Sequence, residues 1–172
     1  MTEQELEGQK ALLLDSLRYS YDTFAWHGPN LMQALRGVAL QQVCWRPPKE
    51  ASTWNIRELT LHVGDVMQRS AADIFGAPVL REVDRRAFPL VAMPTEAEWN
   101  ETLKFLQQAY ATLEQSVQTM PASALTGMAP TKAYSRTWSV RDEIAGVALH
   151  NAYHAAQIVL LRKAQGAWTE LA

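Results

Sequence analysis

The chain has 172 residues, 48% of them apolar, which is the size and composition of one folded domain spanning residues 1–172 with an ordinary buried core. Lys and Arg number 16 against 18 for Asp and Glu, and the formal charge of -2 excludes the basic footprint of a nucleic-acid-binding protein. Its one cysteine, Cys44, excludes an internal disulfide, and the polar start MTEQELEGQK carries no secretory pattern. With no uninterrupted apolar run of roughly 18 residues, these features predict a soluble cytoplasmic protein with no membrane partner.

In chain order, Leu6, Leu13, Leu17, Tyr21 and Phe24 recur at helical spacing and predict a first helix from Glu3 to about Trp26. HGPNL at 27–31 interrupts it, and a short helical piece through Leu35 follows, with Pro29 tolerated in its first turn. The segment from Val38 to Thr53, with WRPPKEAST at its end, reads as a loop. Asn55 then caps a second long helix, with Glu58 placed to reach back to it; Ile56, Leu59, Val63 and Val66 carry the stripe to about Phe75, and Gly76 ends it. Residues 76–94 hold three prolines and read as a long connection. Thr95 and Glu98 open a third long helix whose Trp99, Leu103, Leu106, Tyr110, Leu113 and Val117 keep a four-three repeat. A second long connection leads to Ser139 and Asp142, which read as a capping box for a helix running to about Ala164, stopped by Gly166.

TWNIRE at 53–58 and TWSVRD at 137–142 echo one another, and the simplest account is that each Trp staples the start of its own helix. No segment shows strand alternation. Four amphipathic helices predict an all-α four-helix bundle.

The chemistry concentrates in HNAYHAAQI at 150–158. His150 and His154, four apart on one helix face, can point at one ion, but two ligands make a weak site. His62 is the candidate third. It lies seven residues past its cap, whereas the midpoint of the pair lies thirteen past Ser139, depths of roughly 10 and 20 Å at ~1.5 Å per residue. Only antiparallel second and fourth helices bring the three rings level. Residues 150–154 lack the glutamate of a His-Glu-x-x-His protease motif, and no glutamate precedes any of the three histidines by three, as a di-iron carboxylate bundle requires. A neutral three-imidazole site suits zinc, nickel, copper or ferrous iron. His27, beside a Gly-Pro break, reads as a loop histidine. Cys44 reads as an inert thiol, since no cue lowers its pKa. Gln157 and Asp65 are candidates to support the ligands, against surface roles for both. Asn151 and Tyr153 can face away from the site, and Arg162 can serve the helix C-terminus.

His62 behind TWNIREL, together with HNAYHAAQIVLLRKAQG and with Trp45 and Pro47 before the second helix, resembles the DinB/YfiT-like superfamily of bacterial four-helix bundles. The resemblance implies an up-down-down-up order with residues 76–94 as the crossover. It implies a divalent metal ion, zinc or nickel, on His62, His150 and His154, and a homodimer. Members with assigned activities include metal-dependent transferases and isomerases that use low-molecular-weight thiols, and many others have no known reaction. The expected function is therefore thiol transfer to a small electrophilic molecule. The alternatives are hydrolysis by metal-bound hydroxide and a metal- or ligand-binding bundle without turnover.

Overall fold

Side-chain caps decide where the helices begin. In a computed structural model that describes residues 1–24, 26, 28–48, 53–90, 92–130 and 138–169, helix α1 (Glu3–Tyr21) starts at a Thr2/Glu5 capping box. Helix α2 (Leu31–Leu35) starts at Asn30/Gln33, α4 (Ile56–Phe75) at Asn55/Glu58 and α5 (Glu96–Thr119) at Thr95/Glu98. Helix α6 (Val140–Ala164) has half a box: Ser139 Oγ accepts the Asp142 N–H (3.1 Å), but the Asp142 carboxylate accepts the Ser139 hydroxyl (2.6 Å) instead of its backbone N–H. Gly76, at φ 69° in the left-handed region, closes α4 as expected.

The structure differs from the sequence reading in four places. Helix α1 stops at Tyr21, not near Trp26, because Asn30 turns its amide back to the Thr23 carbonyl (2.7 Å) while its oxygen caps α2. Phe24 is left 82% exposed, and Pro29 precedes the cap instead of filling the first turn. The expected loop after Val38 contains one helical turn, α3 (Leu40–Val43), which buries Val43. Two-residue strands β1 (Met128–Ala129) and β2 (Trp138–Ser139) pair antiparallel just before α6, too short for any alternation to be read.

Side-chain contacts set the helix directions. Arg18 meets Glu114 (2.7 Å) and Lys10 donates to the Met120 carbonyl (2.8 Å), so α1 and α5 are antiparallel. Ser70 donates to Glu143 (2.8 Å) while His62 meets His150 (2.9 Å), so α4 and α6 are antiparallel. Asn151 reaches both Ser20 (3.3 Å) and Met67 (3.8 Å), Tyr21 stacks on Tyr110, and Gly64 abuts Phe105, which makes α4 and α5 parallel. The order is up-down-down-up, with residues 76–94 as the crossover. The bundle core is built from Leu17, Met67, Leu106, Leu113, Ile144 and Ile158, all fully buried.

The crossover is fastened along α4 by buried polar side chains. Gln68 accepts the Leu80 and Arg81 N–H groups (2.9 and 3.1 Å), Asp65 faces Arg85 (3.8 Å), and Glu58 accepts the Leu90 N–H. Glu58 also pairs with Arg46 (2.6 Å), which donates onward to the Thr53 carbonyl. Helix α6 is long and apolar enough to cross a membrane by length and composition, but half of that stretch is buried in the bundle.

At Gly64 two effects oppose each other. Alanine is the better helix former by about 1 kcal/mol, yet its Cβ would stand 2.5 Å from the ring of Phe105, which is itself buried. Overpacking of a closed site costs about 1–3 kcal/mol, so it outweighs propensity. Gly64→Ala is expected to lower the urea midpoint, by a net loss of stability of up to about 2 kcal/mol at unchanged m-value; greater stability would show that α4 and α5 are not in close contact there.

Candidate metal centre

His62 is held at the middle of α4, and His150 and His154 sit one turn apart on α6. His150 Nε2 lies 2.9 Å from His62 Nε2 and 3.0 Å from His154 Nε2, and one donor atom from each ring falls within 4.8 Å of the others. The depth arithmetic from the sequence therefore holds. His62 and His154 are buried and His150 is half-buried. The Trp54 indole stands edge-on to His62 (4.8 Å between centroids) and to Phe88 (5.5 Å), so the residue expected to staple α4 walls the histidines.

Burial keeps all three rings neutral. It lowers His62 to about 3, helped by His150, His154 and Arg85, and lowers His150 to about 4, helped by His154 and Arg85. His154 is lowered by burial against the opposing effect of its bond to Gln157. That bond fixes a tautomer: His154 Nδ1–H donates to Gln157 Oε1 (2.6 Å), which leaves the Nε2 lone pair facing the cluster. Gln157 in turn donates to the Tyr153 hydroxyl (3.0 Å). His150 Nε2 then faces two ring nitrogens with at most one proton, so neutral rings cannot make both short contacts good hydrogen bonds. A cation satisfies all three lone pairs. Nitrogens around a zinc-sized ion at roughly 2.0–2.1 Å stand about 3.3 Å apart in tetrahedral directions, a few tenths of an ångström wider than the two contacts made by His150. The donor set fits a divalent metal.

Two clefts reach the cluster. The larger, about 700 Å³, lies toward the start of α4 and the end of α6; Pro47, Trp54, Leu59, Leu160 and Leu161 form its apolar walls, with His62, His154, Gln157 and Tyr153 as polar points. The smaller, about 460 Å³, lies toward the start of α6 and is lined by Arg85, Trp138, Asp142, Glu143 and the three histidines. Tyr153 belongs to both, and Trp54 and Trp138, equivalent in the sequence echo, wall one each.

Of the other candidates, Gln157 joins the site. Asp65 is fully buried, contrary to a surface role, and its carboxylate holds Arg69 (2.8 Å), Gln68 (2.9 Å) and Arg85. Asn151 faces the core, whereas Tyr153 faces the clefts. Arg162 is buried, not a surface cation: it donates to the Ala34 carbonyl (2.8 Å) and ties α2 to α6. Cys44 donates to the Ala92 carbonyl (3.6 Å), and burial pushes its thiol up, which agrees with an inert role. His27 lies outside the described residues. Arg85 and the wall role of the two tryptophans were missed; the Thr-Trp echo was the available signal for the latter.

A family model described as the DinB superfamily matches residues 23–158, well over half of the chain. No curated protein matches it.

The lowered histidines set a pH dependence for the metal-free protein. Each binds its proton less well folded than unfolded, where the ordinary value is near 6.5. Stability is therefore complete above about pH 6.5 and is lost as pH falls toward 4, by up to about 1.4 kcal/mol per pH unit for each of His62 and His150. Urea midpoints in chelator at pH 7, 6 and 5 are expected to fall in steps, with a shallower fall in His62→Gln. A flat profile would mean that the rings are not buried neutral.

Proposed function

We propose, from the fact that this chain belongs to the DinB superfamily and from the convergence of three neutral imidazoles beneath an apolar cleft, that the protein is a metal-dependent transferase. In this reading His62, His150 and His154 hold one divalent ion, zinc or nickel, and the protein delivers a low-molecular-weight thiol to a small electrophilic molecule in the cytoplasm. A bound divalent ion supplies Lewis acidity, which holds a thiol as thiolate at neutral pH. The chain's own residues supply the rest. Gln157 holds His154 in the tautomer that offers Nε2. Trp54, Leu59 and Leu161 line the larger cleft with apolar side chains, which suits a small apolar electrophile approaching the histidines. Tyr153, whose oxygen already accepts from Gln157, keeps its own O–H to donate into either cleft.

The acids that a hydrolytic reading would use as a base, Asp142 and Glu143, stand beside His150 in the smaller cleft. Both are held at the start of α6, Glu143 by Ser70 (2.8 Å) and Asp142 by Ser139 (2.6 Å), so neither is poised as a base.

The test is elemental analysis of untagged protein, followed by thiolate absorbance and electrophile consumption. About one metal per chain is expected in the parent and near none in His62→Ala, His150→Ala or His154→Ala. Gln157→Ala is expected to retain the metal with roughly ten-fold weaker affinity. Consumption of the electrophile should require both metal and thiol. Ester or amide hydrolysis without thiol, lost in His154→Ala, would replace transfer by hydrolysis. Metal without either activity would leave a non-catalytic binding bundle.

We also propose that a second copy of the chain is its partner. Leu12 on α1 and Leu149 on α6 leave large apolar side chains in solvent, 68% and 73% exposed. Light scattering is expected to give twice the 19.3 kDa chain mass and to fall to a monomer in Leu149→Glu; a monomeric parent would end this reading.

A further inference from the structure

The smaller cleft has a charge arrangement that metal binding does not require. Arg85 reaches its wall from a short 3-10 turn (Arg85–Ala87) in the crossover. Its side chain is 47% exposed, and its one ion-pair partner among the described residues, Asp65, stands 3.8 Å from Nε, beyond hydrogen-bond range. Among the described residues the guanidinium donates no hydrogen bond, so its donors are free to face a ligand. Asp65 cannot neutralise it fully, because Oδ1 of the same carboxylate already takes Arg69 and Gln68. Arg85 is close enough to the cluster for its charge to act on His62 and His150.

We infer that the smaller cleft is a carboxylate subsite, in which Arg85 binds the carboxylate of a small ligand whose other end points at the histidines. A planar guanidinium with free paired donors matches a planar carboxylate. On the opposite wall stand the side-chain carboxyl groups of Asp142 and Glu143, which accept from Ser139 and Ser70. They oppose a second acidic group, so the subsite takes a monocarboxylate. This deepens the transferase reading and rests on it for the ligand's second end, which would carry the thiol.

Titration calorimetry of the metal-loaded protein tests the subsite with three probes: 3-mercaptopropionate, 2-mercaptoethanol and propionate. The parent is expected to prefer the carboxylate thiol over mercaptoethanol by about ten-fold or more. Arg85→Gln should remove that preference at unchanged metal content, leaving mercaptoethanol affinity unaltered, and Arg85→Lys should restore part of it. Asp65 retains Arg69 and Gln68 in both variants. A parent without the preference, or a preference that survives Arg85→Gln, overturns the subsite. If neither thiol binds, the transferase reading fails, and propionate decides the subsite separately: binding lost in Arg85→Gln upholds it, and no binding, or binding that survives the substitution, overturns it.

Discussion

Helix α4 buries two carboxylates, an amide and an imidazole among the residues of one helix, and most of the molecule around the histidines is arranged to satisfy them. Glu58, Asp65, Gln68 and His62 are all essentially inaccessible to water. An unpaired charge in such a place costs several kcal/mol, so each needs a partner from outside α4 or from its next turn. Arg46 and the Leu90 N–H answer Glu58, Arg69 and Arg85 answer Asp65, and the backbone around Leu80 and Arg81 answers Gln68. Those partners belong mainly to the crossover and to the segment before α4. Satisfying α4 therefore also sets Trp54 and Phe88 against His62 and brings Arg85 to the mouth of the smaller cleft. His62 is the residue whose partners come instead from α6.

The three imidazoles are not equivalent. His154 has a tautomer fixed by Gln157, and through it a link to Tyr153. The Nδ1 atoms of His62 and His150 are buried without a hydrogen-bond partner among the described residues. Orientation of those two rings rests on packing: Trp54 against His62, and each ring edge-on to its neighbours at centroid distances of 4.3–4.9 Å. A ligand set in which one ring is held by a hydrogen bond and two by shape can adjust its nitrogen spacing by small ring rotations. It does so without breaking a buried bond, which is the adjustment that closing on an ion requires.

Periodicity and caps made the long helices legible, and rise per residue made the histidine triad legible, because both depend on local regularities of the chain. What escaped depended on residue type or on loops. For Asp65 and Arg162 a surface role stays open in the sequence because charged side chains usually have one; their burial is intelligible only with Arg69, Arg85 and the α2 carbonyl of Ala34 in view. Arg85 lies in a connection without periodicity, so nothing in its neighbourhood indicates which way it points. The end of α1 was misplaced because the apolar repeat continues through Phe24, whereas the backbone turn is decided by Asn30, several residues downstream.

The Thr-Trp echo shows how one local motif yields two different outcomes. In antiparallel helices, equivalent starts lie at opposite ends of the shared face, so a tryptophan just before each start meets the histidines from opposite sides. Trp54 then walls the larger cleft and Trp138 the smaller. The acids at the end of the echo diverge because their surroundings do. Glu58 lies under the crossover, buried, and completes its capping box while binding Arg46; Asp142, 44% exposed, turns to the Ser139 hydroxyl and stays at the cleft wall. The apolar cleft thus forms where the acid has been consumed by structure, and the charged cleft where it has not.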